Sequence, residues 1–395
     1  MFDTKTVEAF ELHYSMLVDE VRTNRFLSAI LQMVKPGDVV LDIGSGTGVL
    51  ACFACLAGAK HVYAVEQGAI IGLAKEICAR NGLEDRITFY NDWSTHIELP
   101  EAANVLVTET IGNIGFEEGM LHWVLDAKGR LLSDNARIIP RTLEMFAVPI
   151  ESEEDYHRVG NWDNYYYTFD FSPLHTLASS NLLWMDLMPE MFLSEPASLL
   201  FTDLTQVEDD DFSAEASYVV KRKGTVHGFG GWFTAELTPT VRLSNVPPSK
   251  TPSWSHTFMP LEWPLAVKTG DRLQLKIYTT HNAAQWQWQV THVARTAGDR
   301  DGPSILLPEQ TTKFGQLVGF GSMQALSSTP TRNMDGEIAL FILQRINGAL
   351  SIAEIAQQVE EQFPESFDSY EKLLEHINKL VRIYSRDGNS PRKRA

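Results

Sequence analysis

The first 140 residues alternate short apolar runs with segments of helical periodicity. The apolar runs predict buried strands at 39–42, 61–66, 87–90 and 104–107. Apolar positions at helical spacing predict helices over 1–34, 48–57 and 69–81. Strands that alternate with helices are typical of a parallel sheet with helices on both faces. We therefore predict a doubly wound, Rossmann-like α/β domain over residues 1–140.

The pattern changes after Pro140. Short alternating strands, separated by Gly, Pro and Asn turns, continue to about residue 300 and predict an antiparallel β-barrel over 141–300. The stretch 151–195 is richer in Tyr, Trp, Met and Leu and indicates an inserted helical segment. Residues 296–303 have the composition of a linker, and 331–385 have the periodicity of three helices. A small third domain is therefore predicted over 311–390.

The net charge is distributed unevenly along the chain, and its distribution does not follow every boundary that the hydrophobic pattern predicts. The 395 residues carry 51 Asp and Glu against 33 Lys and Arg, a net charge of −18. Residues 1–150 contribute −8, residues 151–310 contribute −10, and residues 311–395 are neutral. Such acidity disfavours nucleic acid and would steer cationic substrates, although solubility alone would also explain it. Without a long apolar run or an N-terminal signal pattern, the sequence predicts no membrane segment and a cytoplasmic location.

The three cysteines are Cys52, Cys55 and Cys78. Cys52 and Cys55 form a single C-x-x-C pair, whereas a zinc site needs a second pair of ligands. Because both lie in a predicted helix, we interpret them as small core residues and predict no metal site. The absence of a disulfide pattern fits a reducing compartment.

A glycine loop follows the first predicted strand. Residues 42–48 read Asp-Ile-Gly-Ser-Gly-Thr-Gly, and Val49 stands where a dinucleotide motif would have its last glycine. The acidic Asp42 disfavours a pyrophosphate, while Glu66 ends the second strand, where a ribose diol is commonly held. The pattern predicts a nucleoside cofactor without a pyrophosphate, namely S-adenosylmethionine. A purely structural turn is the alternative.

Two glutamates follow the fourth predicted strand. Glu109 and Glu118 stand nine residues apart, joined by a glycine-containing loop, at the strand end that faces the ligand crevice of such sheets. Carboxylates that approach each other repel, and a cation between them removes the conflict. A guanidinium fits best because its planar fork matches carboxylates. The spacing equally allows one or both glutamates to cap the next helix.

These motifs together resemble the catalytic core of protein arginine methyltransferases. The resemblance rests on a helix motif at 19–23, the glycine loop at 42–48, Glu66 and the double-glutamate loop at 109–120. Segments 226–233 and 266–270 are similar to strands of the family's C-terminal barrel, so the similarity covers roughly residues 7–295. The family also often forms dimers through an arm, which residues 151–195 could supply in a homodimer.

The resemblance implies a role for each matching residue. Arg22 would pair with the cofactor's carboxylate, and Glu109 and Glu118 would hold the substrate guanidinium as catalytic residues. Trp254 would lie on the substrate side. The other cofactor residues would be His13 and Met16 near the sulfonium, Asp42, Gly44 and Gly46 along the methionine portion, Glu66 at the ribose, Ser94 and Thr95 at the adenine, and Glu109.

Two departures from the family pattern concern the substrate side. The family's early tyrosine motif aligns near Asp3, Thr4 and Val7, where no tyrosine stands. Ser253 replaces the histidine of a Thr-His-Trp loop, and His256 follows Trp254 by two residues. His256 is therefore a candidate acceptor for the proton released on methylation, with an ordinary surface histidine as the alternative.

The C-terminal segment carries a separate resemblance. Residues 331–386, through Gly336-Glu337-Ile338-Ala339 and the stretch 346–355, resemble the PqqD-like winged-helix family that binds leader peptides of ribosomally made natural products. The neutral charge of this segment disfavours DNA binding, the usual alternative for a winged helix. A structural or dimerising helical cap is the other interpretation.

The combined hypothesis is an S-adenosylmethionine-dependent N-methyltransferase that acts on arginine in a protein or peptide, including a leader-bearing precursor peptide. Two alternatives stay open. One is methylation of a small-molecule amine, guanidine or other natural-product nucleophile, which the departures at Asp3 to Val7 and at Ser253 would allow. The other is an inactive cofactor-binding regulator, against which the intact Glu109 and Glu118 weigh.

Overall fold

The computed structural model describes residues 4–163, 165–166, 169–249, 253–280, 284–295, 301–312, 334–364, 366–367 and 369–384. The chain forms two compact units, Met1–Gln316 and Leu317–Ala395. Among the described residues, no helix combines the length and the apolar character that crossing a membrane requires.

A five-stranded parallel sheet forms the N-terminal part of the first unit. Its strands are β1 (Val39–Ile43), β2 (His61–Val65), β3 (Ile87–Tyr90), β4 (Ala103–Thr108) and β5 (Leu132–Ile139), in the order β3-β2-β1-β4-β5. The helices are α1 (Thr4–Val18), α2 (Glu20–Met33), α3 (Val49–Leu56), α4 (Ile71–Arg80) and α5 (Met120–Arg130). All five residues of β1 are buried, as expected for a parallel strand covered on both faces. The predicted Rossmann-like sheet is confirmed, and its strand order reverses between β1 and β4, where such sheets bind ligands.

The predicted helix over 1–34 is two helices, with the break at Asp19. The Asp19 backbone is extended, at φ −69° and ψ 92°, and its side chain accepts a hydrogen bond from the Arg22 amide. Aspartate is a preferred N-cap because its carboxylate satisfies an amide that the first helical turn leaves unpaired. The break brings α2 into position with Arg22 buried.

Two antiparallel sheets follow. The first has the order β10-β6-β12-β14-β9, with β13 on β12, and the second has the order β11-β15-β16-β17, with β18 on β16. The strands are β6 (Thr142–Ile150), β9 (Leu183–Met185), β10 (Ala197–Asp203), β11 (Ser213–Val219), β12 (Gly224–Thr238), β13 (Val241–Ser244), β14 (His256–Val267), β15 (Arg272–Thr280), β16 (Gln285–Arg295), β17 (Asp301–Leu306) and β18 (Gln310–Thr311). Burial alternates along β11, β15 and β16, which places one face of the sheet on the core.

The antiparallel region extends beyond the predicted boundary at residue 300. Strand β17 pairs with β16, so residues 301–303 belong to a sheet and not to the predicted linker. Residues 296–300 lie outside the described part. The apolar core is continuous from the parallel sheet into the antiparallel sheets, with Trp286 and Trp288 among its largest fully buried side chains.

The predicted inserted segment at 151–195 contains two helices, α6 (Glu153–Gly160) and α7 (Pro173–Ser179), and a two-stranded ribbon, β7 (Tyr165–Tyr166) and β8 (Phe169–Asp170). Both helices are tied to β14 through one carbonyl. The hydroxyl of Tyr156 and Nε2 of His175 each donate to the backbone oxygen of Glu262, at 2.7 and 2.6 Å. The remaining single turns of 3₁₀ helix are Ser94–His96, Asn161–Asp163, Pro189–Met191 and Leu204–Gln206.

The second unit has its own small core. Helices α8 (Met334–Leu343), α9 (Ile352–Gln362) and α10 (Tyr370–Tyr384) pack through Ile338, Ile342, Ile355, Val359, Leu373 and Ile377. Ser351 and Glu354 form a capping box at the start of α9. Between 334 and 384 the described residues contain no strand, so the β-hairpin of a winged helix is not among them.

Candidate active site

The glycine loop between β1 and α3 needs glycine for both conformation and space. Gly44 and Gly46 have positive φ, at 74° and 52°, a region that L-residues rarely adopt. A Cβ at Gly44 would lie 3.0 Å from Cγ2 of Thr110, and one at Gly46 would lie 3.0 Å from Cε1 of His13. The loop therefore presents bare backbone at the carboxyl end of β1.

Glu66 is held beneath this loop. Its Oε2 accepts from the Gly46 amide at 3.1 Å, and its Oε1 accepts from the Gly68 amide at 2.6 Å. These bonds orient the carboxylate at the end of β2, next to the glycine loop. Each carboxylate oxygen has a second lone pair, which can accept from a ligand hydroxyl.

Asp42 lies fully buried below the loop. Among the described residues, neither of its carboxylate oxygens has a hydrogen-bond partner. Burial raises the pKa of Asp42 to about 8, an effect that the nearby Ala51 amide partly offsets and the charge of Glu66 reinforces. At neutral pH the free protein therefore carries a buried, protonated acid at the base of the cofactor loop.

We expect the Asp42 carboxyl to make the protein less stable as pH rises. Because its folded-state pKa is raised, the folded state binds more protons than the unfolded state up to about pH 8, and the free energy of unfolding falls by at most ~1.4 kcal/mol per pH unit. Asp42→Asn should remove this contribution and be the more stable protein near pH 8. Urea unfolding across about pH 5–9 measures it, with exposed Asp85→Asn as control. Parallel pH dependences for wild type and Asp42→Asn would contradict the assignment.

Arg22 and Glu109 form a buried ion pair. The Nε and Nη2 atoms of Arg22 both donate to Oε2 of Glu109, the Nε bond being 2.8 Å, while Nη1 donates to the Met16 carbonyl at 3.1 Å. The two side chains are only 8% and 5% exposed. Burial raises the pKa of Glu109, and the Arg22 guanidinium opposes that rise. A guanidinium has five N–H groups, so three bonds leave donors for a further acceptor.

The loop from Glu109 to Glu118 folds back on itself. Gly112 and Gly115 exchange backbone hydrogen bonds across the turn, at 3.4 and 3.1 Å. The Glu117 carboxylate fills the inside of the loop and accepts from the Ile114 amide at 3.0 Å. A Cβ at Gly112 would lie 2.1 Å from Cδ of Glu117, so this interior has room only for glycine. Glu117 therefore holds the loop, and Glu118 is left to face the cavity.

The electrostatics of Glu118 depend on its neighbours. Its side chain is exposed to the cavity, although protein atoms surround most of it. Burial, with the charges of Glu109 and Glu117, raises its pKa to about 8, and Arg22 lowers it. Solvent in the cavity weakens this shift, and a ligand that displaces solvent would strengthen it unless the ligand is a cation.

A cavity of about 710 Å³, here called the main cavity, brings most of the predicted site residues together. It is lined by His13, Met16, Arg22, Gly44, Gly46, Glu66, Ser94, Glu109, Glu118 and Trp254. Three predicted residues are not in its lining. They are the fully buried Asp42, the half-buried Thr95, and His256, which is buried in β14.

The proton-acceptor role predicted for His256 needs correction. The side chain is 1% exposed in β14, and its Nδ1 accepts from the Leu187 amide at 3.0 Å. Its Nε2 donates to the Asn245 carbonyl at 2.8 Å. Because two backbone groups engage both ring nitrogens away from the main cavity, the residue joins β14 to the segments that follow β9 and β13 instead of meeting a substrate.

Trp254 fastens the double-glutamate loop to the antiparallel sheets. Its Nε1 donates to the Ile111 carbonyl at 2.7 Å, and its side chain is 5% exposed. The neighbouring Ser255 amide donates to Oδ1 of Asn113 at 2.8 Å, and Nδ2 of Asn245 donates to the Asn113 carbonyl at 2.9 Å. The loop before β14 thereby sets the position of the turn that carries Glu118.

Other cavity residues were not predicted from the sequence. They include Asn113, which anchors the loop, and three tryptophans of the lining, Trp93, Trp123 and Trp184. Trp93 and Trp123 stack, with ring centroids 5.4 Å apart. The position of Trp93 directly before Ser94 was a usable signal, because Ser94 had been assigned to the cofactor. Trp123 and Trp184 gave no such signal, because neither stands in a motif.

Comparison with known proteins identifies the family. Human "Protein arginine N-methyltransferase 2" is 32% identical to this chain over 306 residues, which is 71% of this chain and 70% of the relative. The chain belongs to the protein arginine N-methyltransferase family. The fission-yeast (Schizosaccharomyces pombe) "Protein arginine N-methyltransferase 1" is 33% identical over 274 residues, 67% of this chain and 80% of the relative. The mouse methyltransferase 2 is 34% identical over 279 residues, but the match spans only 62% of that relative's length.

Two family models match parts of the chain, and solved arginine methyltransferase structures share its fold. The "Arginine methyltransferase oligomerization subdomain" matches residues 142–291, and the "Ribosomal protein L11 methyltransferase" model matches residues 22–115. The Trypanosoma brucei PRMT1 enzyme-prozyme heterotetrameric complex with AdoHcy is 25% identical, with a TM-score of 0.67 over 76% of this chain and 98% of that chain. The Arabidopsis thaliana enzyme 10, at 23% identity and a TM-score of 0.64, covers 76% of this chain and 97% of its own and shows the same fold.

Proposed function

We propose that this protein is an S-adenosylmethionine-dependent N-methyltransferase that acts on arginine guanidinium groups of a protein or peptide. One observation carries the proposal. Glu109 and Glu118 stand on one folded loop and line the same cavity as the glycine loop and Glu66. Two carboxylates beside a nucleoside-type site are suited to hold a cation next to a cofactor.

The residues of the main cavity fit the cofactor. Gly44 and Gly46 leave a cradle that a Cβ would fill, and Glu66 is oriented to accept from ribose hydroxyls. Arg22 keeps donors for a carboxylate while it holds Glu109. The volume of about 710 Å³ is in the usual range for sites that hold a small molecule. When bound, S-adenosylmethionine supplies an electrophilic methyl group on its sulfonium; an AdoHcy-bound structure of a relative supports this assignment.

Glu118 and Glu109 have different tasks in this mechanism. A guanidinium is a poor nucleophile because its charge is delocalised and its pKa exceeds ~12. Glu109, fixed by Arg22, and Glu118 would orient the guanidinium and localise positive charge away from the attacking nitrogen. Positioning of that kind supplies a large share of catalysis in two-substrate reactions. With His256 engaged by backbone groups, Glu118 is the residue suited to take the proton that leaves the methylated nitrogen.

A product mass tests the proposal directly. The full-length protein is incubated with S-adenosylmethionine and, in separate reactions, with matched peptides that carry a single Arg, Lys or citrulline, or with a small amine or guanidine. We expect the mass to increase by one methylene, or by two, on the Arg peptide alone. Methylation of a small amine or guanidine with no peptide product would favour the alternative substrate class. No product of either kind would favour a cofactor-binding regulator.

The pH dependence of catalysis should report the Glu118 carboxyl. Since binding a cation requires the ionised form, kcat/KM for an arginine peptide should rise about tenfold per pH unit and level off near the free-enzyme pKa, about 8. A bound guanidinium lowers that pKa, so kcat should level off at lower pH than kcat/KM. Initial rates across about pH 6–9 give both profiles. A kcat/KM that is flat over this range would contradict the role of Glu118.

We further propose that residues 331–386 capture a leader-bearing peptide, as the PqqD-like resemblance implies. The separate core of the second unit and its neutral charge support a recognition module distinct from the acidic first unit. A leader held there would raise the effective concentration of the arginine at the main cavity. A homodimer through residues 151–195 and a cytoplasmic location are also part of this proposal; the oligomerization subdomain match supports the former.

Removing the second unit should separate leader binding from chemistry. Deletion of residues 317–395 is expected to raise KM for a leader-bearing peptide by about 10²-fold, because the tethered arginine loses its high local concentration. The KM for a short core peptide should stay unchanged, as should S-adenosylmethionine affinity and the thermal midpoint of the first unit. Equal changes for both peptides would indicate a structural cap instead.

A further inference from the structure

Two cysteines that the sequence does not pair are in direct contact. Cys52 on α3 and Cys78 on α4 place their sulfur atoms 3.5 Å apart. Cys55, the partner of Cys52 in the C-x-x-C pattern, is instead 2% exposed and packs in the core. The tertiary structure therefore replaces the local C-x-x-C pair by a thiol pair that joins two helices.

The environment makes Cys52 the accessible member of the pair. Cys52 is half-buried and lines a second cavity, of about 620 Å³, whose other walls include Val49, Phe53 and Ile77. Cys78 is fully buried behind it. A small neutral reagent can therefore reach the Cys52 sulfur through the second cavity. Cys78 would then react with the oxidised Cys52 and not with the reagent itself.

The hydrogen bond between the thiols distinguishes their reactivity. The two thiols share one hydrogen bond, in which either sulfur can be the donor, and this contact lowers the pKa of Cys52 and raises the pKa of Cys78. Burial raises the pKa of the Cys55 thiol. A thiolate is the nucleophile in cysteine chemistry, and the order of these values resembles that of dithiol pairs in which one sulfur attacks and the other resolves.

We propose that Cys52 and Cys78 form a reversible dithiol–disulfide site that reacts with peroxides. The Cys52 thiolate attacks one peroxide oxygen, so a sulfur–oxygen bond forms, the oxygen–oxygen bond breaks, and the departing hydroxide takes a proton to become water. The Cys78 sulfur then attacks the Cys52 sulfenic acid, the sulfur–oxygen bond breaks as the sulfur–sulfur bond forms, and the Cys78 proton passes to the departing hydroxide, which leaves as a second water. Two thiols lose two hydrogens, and one hydrogen peroxide becomes two waters.

The Cys52–Cys78 pair lies next to the glycine loop, so its oxidation is expected to change the packing of that loop. A Cβ at Gly48 would be 3.5 Å from the Cys78 sulfur and 3.3 Å from Cβ of Ala74, so α4 packs against the end of the glycine loop. A disulfide needs a sulfur separation of about 2.0 Å, so closing the 3.5 Å contact requires a rearrangement of the two side chains and of their packing between α3 and α4. We infer that oxidation lowers the affinity for S-adenosylmethionine, a consequence that rests on the proposed function.

Peptide mapping tests the disulfide itself. The full-length protein is treated with hydrogen peroxide, its remaining thiols are blocked, and the digest is analysed by mass with and without dithiothreitol. We expect a reducible crosslink between the Cys52 and Cys78 peptides that is lost in Cys52→Ala and in Cys78→Ala and kept in Cys55→Ala. A crosslink that contains Cys55, or oxidation of Cys52 to a sulfinic acid without a crosslink, would overturn the site.

Calorimetric titration with S-adenosylmethionine tests the consequence. Oxidised wild type and oxidised Cys55→Ala should bind at least about fivefold more weakly than their reduced forms, the lower end of typical coupling between sites, and dithiothreitol should restore binding. Cys52→Ala and Cys78→Ala should bind equally with and without peroxide. Unchanged affinity in a crosslinked protein would overturn the coupling. Failure of the reduced wild type to bind would instead contradict the proposed function, and the crosslink map would stand independently.

Discussion

Replacing Glu118 by Gln is expected to lower kcat for an arginine peptide by at least about 10²–10³-fold, the usual effect of removing one preorganised electrostatic group from an active site. Gln keeps the shape of the side chain but neither its negative charge nor its capacity to accept the released proton. Since Glu118 faces the cavity while Glu117 holds the loop, the loop should keep its fold. Single-turnover rates with saturating peptide measure the chemical step.

The same variant should bind the cofactor almost normally. Glu66, Arg22 and the glycine loop do not depend on the Glu118 carboxylate for any hydrogen bond found in the described structure. The control is Glu101→Gln, the same substitution at an exposed carboxylate that pairs with Lys60 on the surface. Rates for Glu118→Gln that match this control would remove Glu118 from the mechanism. A parallel loss of cofactor affinity would instead indicate a disturbed loop.

Replacing Arg22 by Met should have the largest effect on stability. The substitution leaves Glu109 buried, only 5% exposed, and without its cation. Removing one partner of a buried ion pair costs about 3–5 kcal/mol, because the remaining charge is neither solvated nor paired. Urea unfolding of the variant should show this loss. The control is Lys60→Met, which breaks the exposed pair with Glu101 and should change stability by less than about 1 kcal/mol.

The double variant Arg22→Met/Glu109→Gln separates stability from catalysis. A neutral amide at position 109 no longer needs a cation, so most of the lost stability should return. Full recovery is not expected, because the Met16 carbonyl also loses the donor that Arg22 provides. Methyl transfer should nevertheless be abolished in the double variant, since one of the two carboxylates is gone. If the double variant were no more stable than Arg22→Met, the ion pair would not be the source of the loss.

The Arg22–Glu109 pair refines the residue roles that the family resemblance implied. The sequence assigned Arg22 to the cofactor's carboxylate and Glu109 to the guanidinium, as two separate contacts. The structure shows that Arg22 also binds Glu109, 87 positions away in the chain. In the proposed function, one cation would therefore contact both the cofactor and the residue that holds the guanidinium. We expect the geometry of Glu109, and through it the substrate position, to depend on α2.

The local sequence pattern was sufficient to predict the strands and the glycine loop that carry the site. Strands β1 to β4 were predicted to within a residue or two, because buried parallel strands are short apolar runs whose signal needs no partner. The glycine loop and Glu66 were found for a similar reason. Glycine tolerates the positive φ that Gly44 and Gly46 adopt because it has no Cβ, so the residue type itself indicates the loop. Glu66 directly follows β2, so the end of that strand fixes its position.

The sequence alone did not predict contacts between segments that are far apart in the chain. Trp254 binds the Ile111 carbonyl across 143 positions, His256 is enclosed by Leu187 and Asn245, and Cys52 meets Cys78 instead of Cys55. Side-chain type and spacing describe what a residue can do near its own position in the chain. Which group it meets depends on how helices and sheets pack, so the folded chain alone established that Glu118 faces the main cavity and that His256 does not.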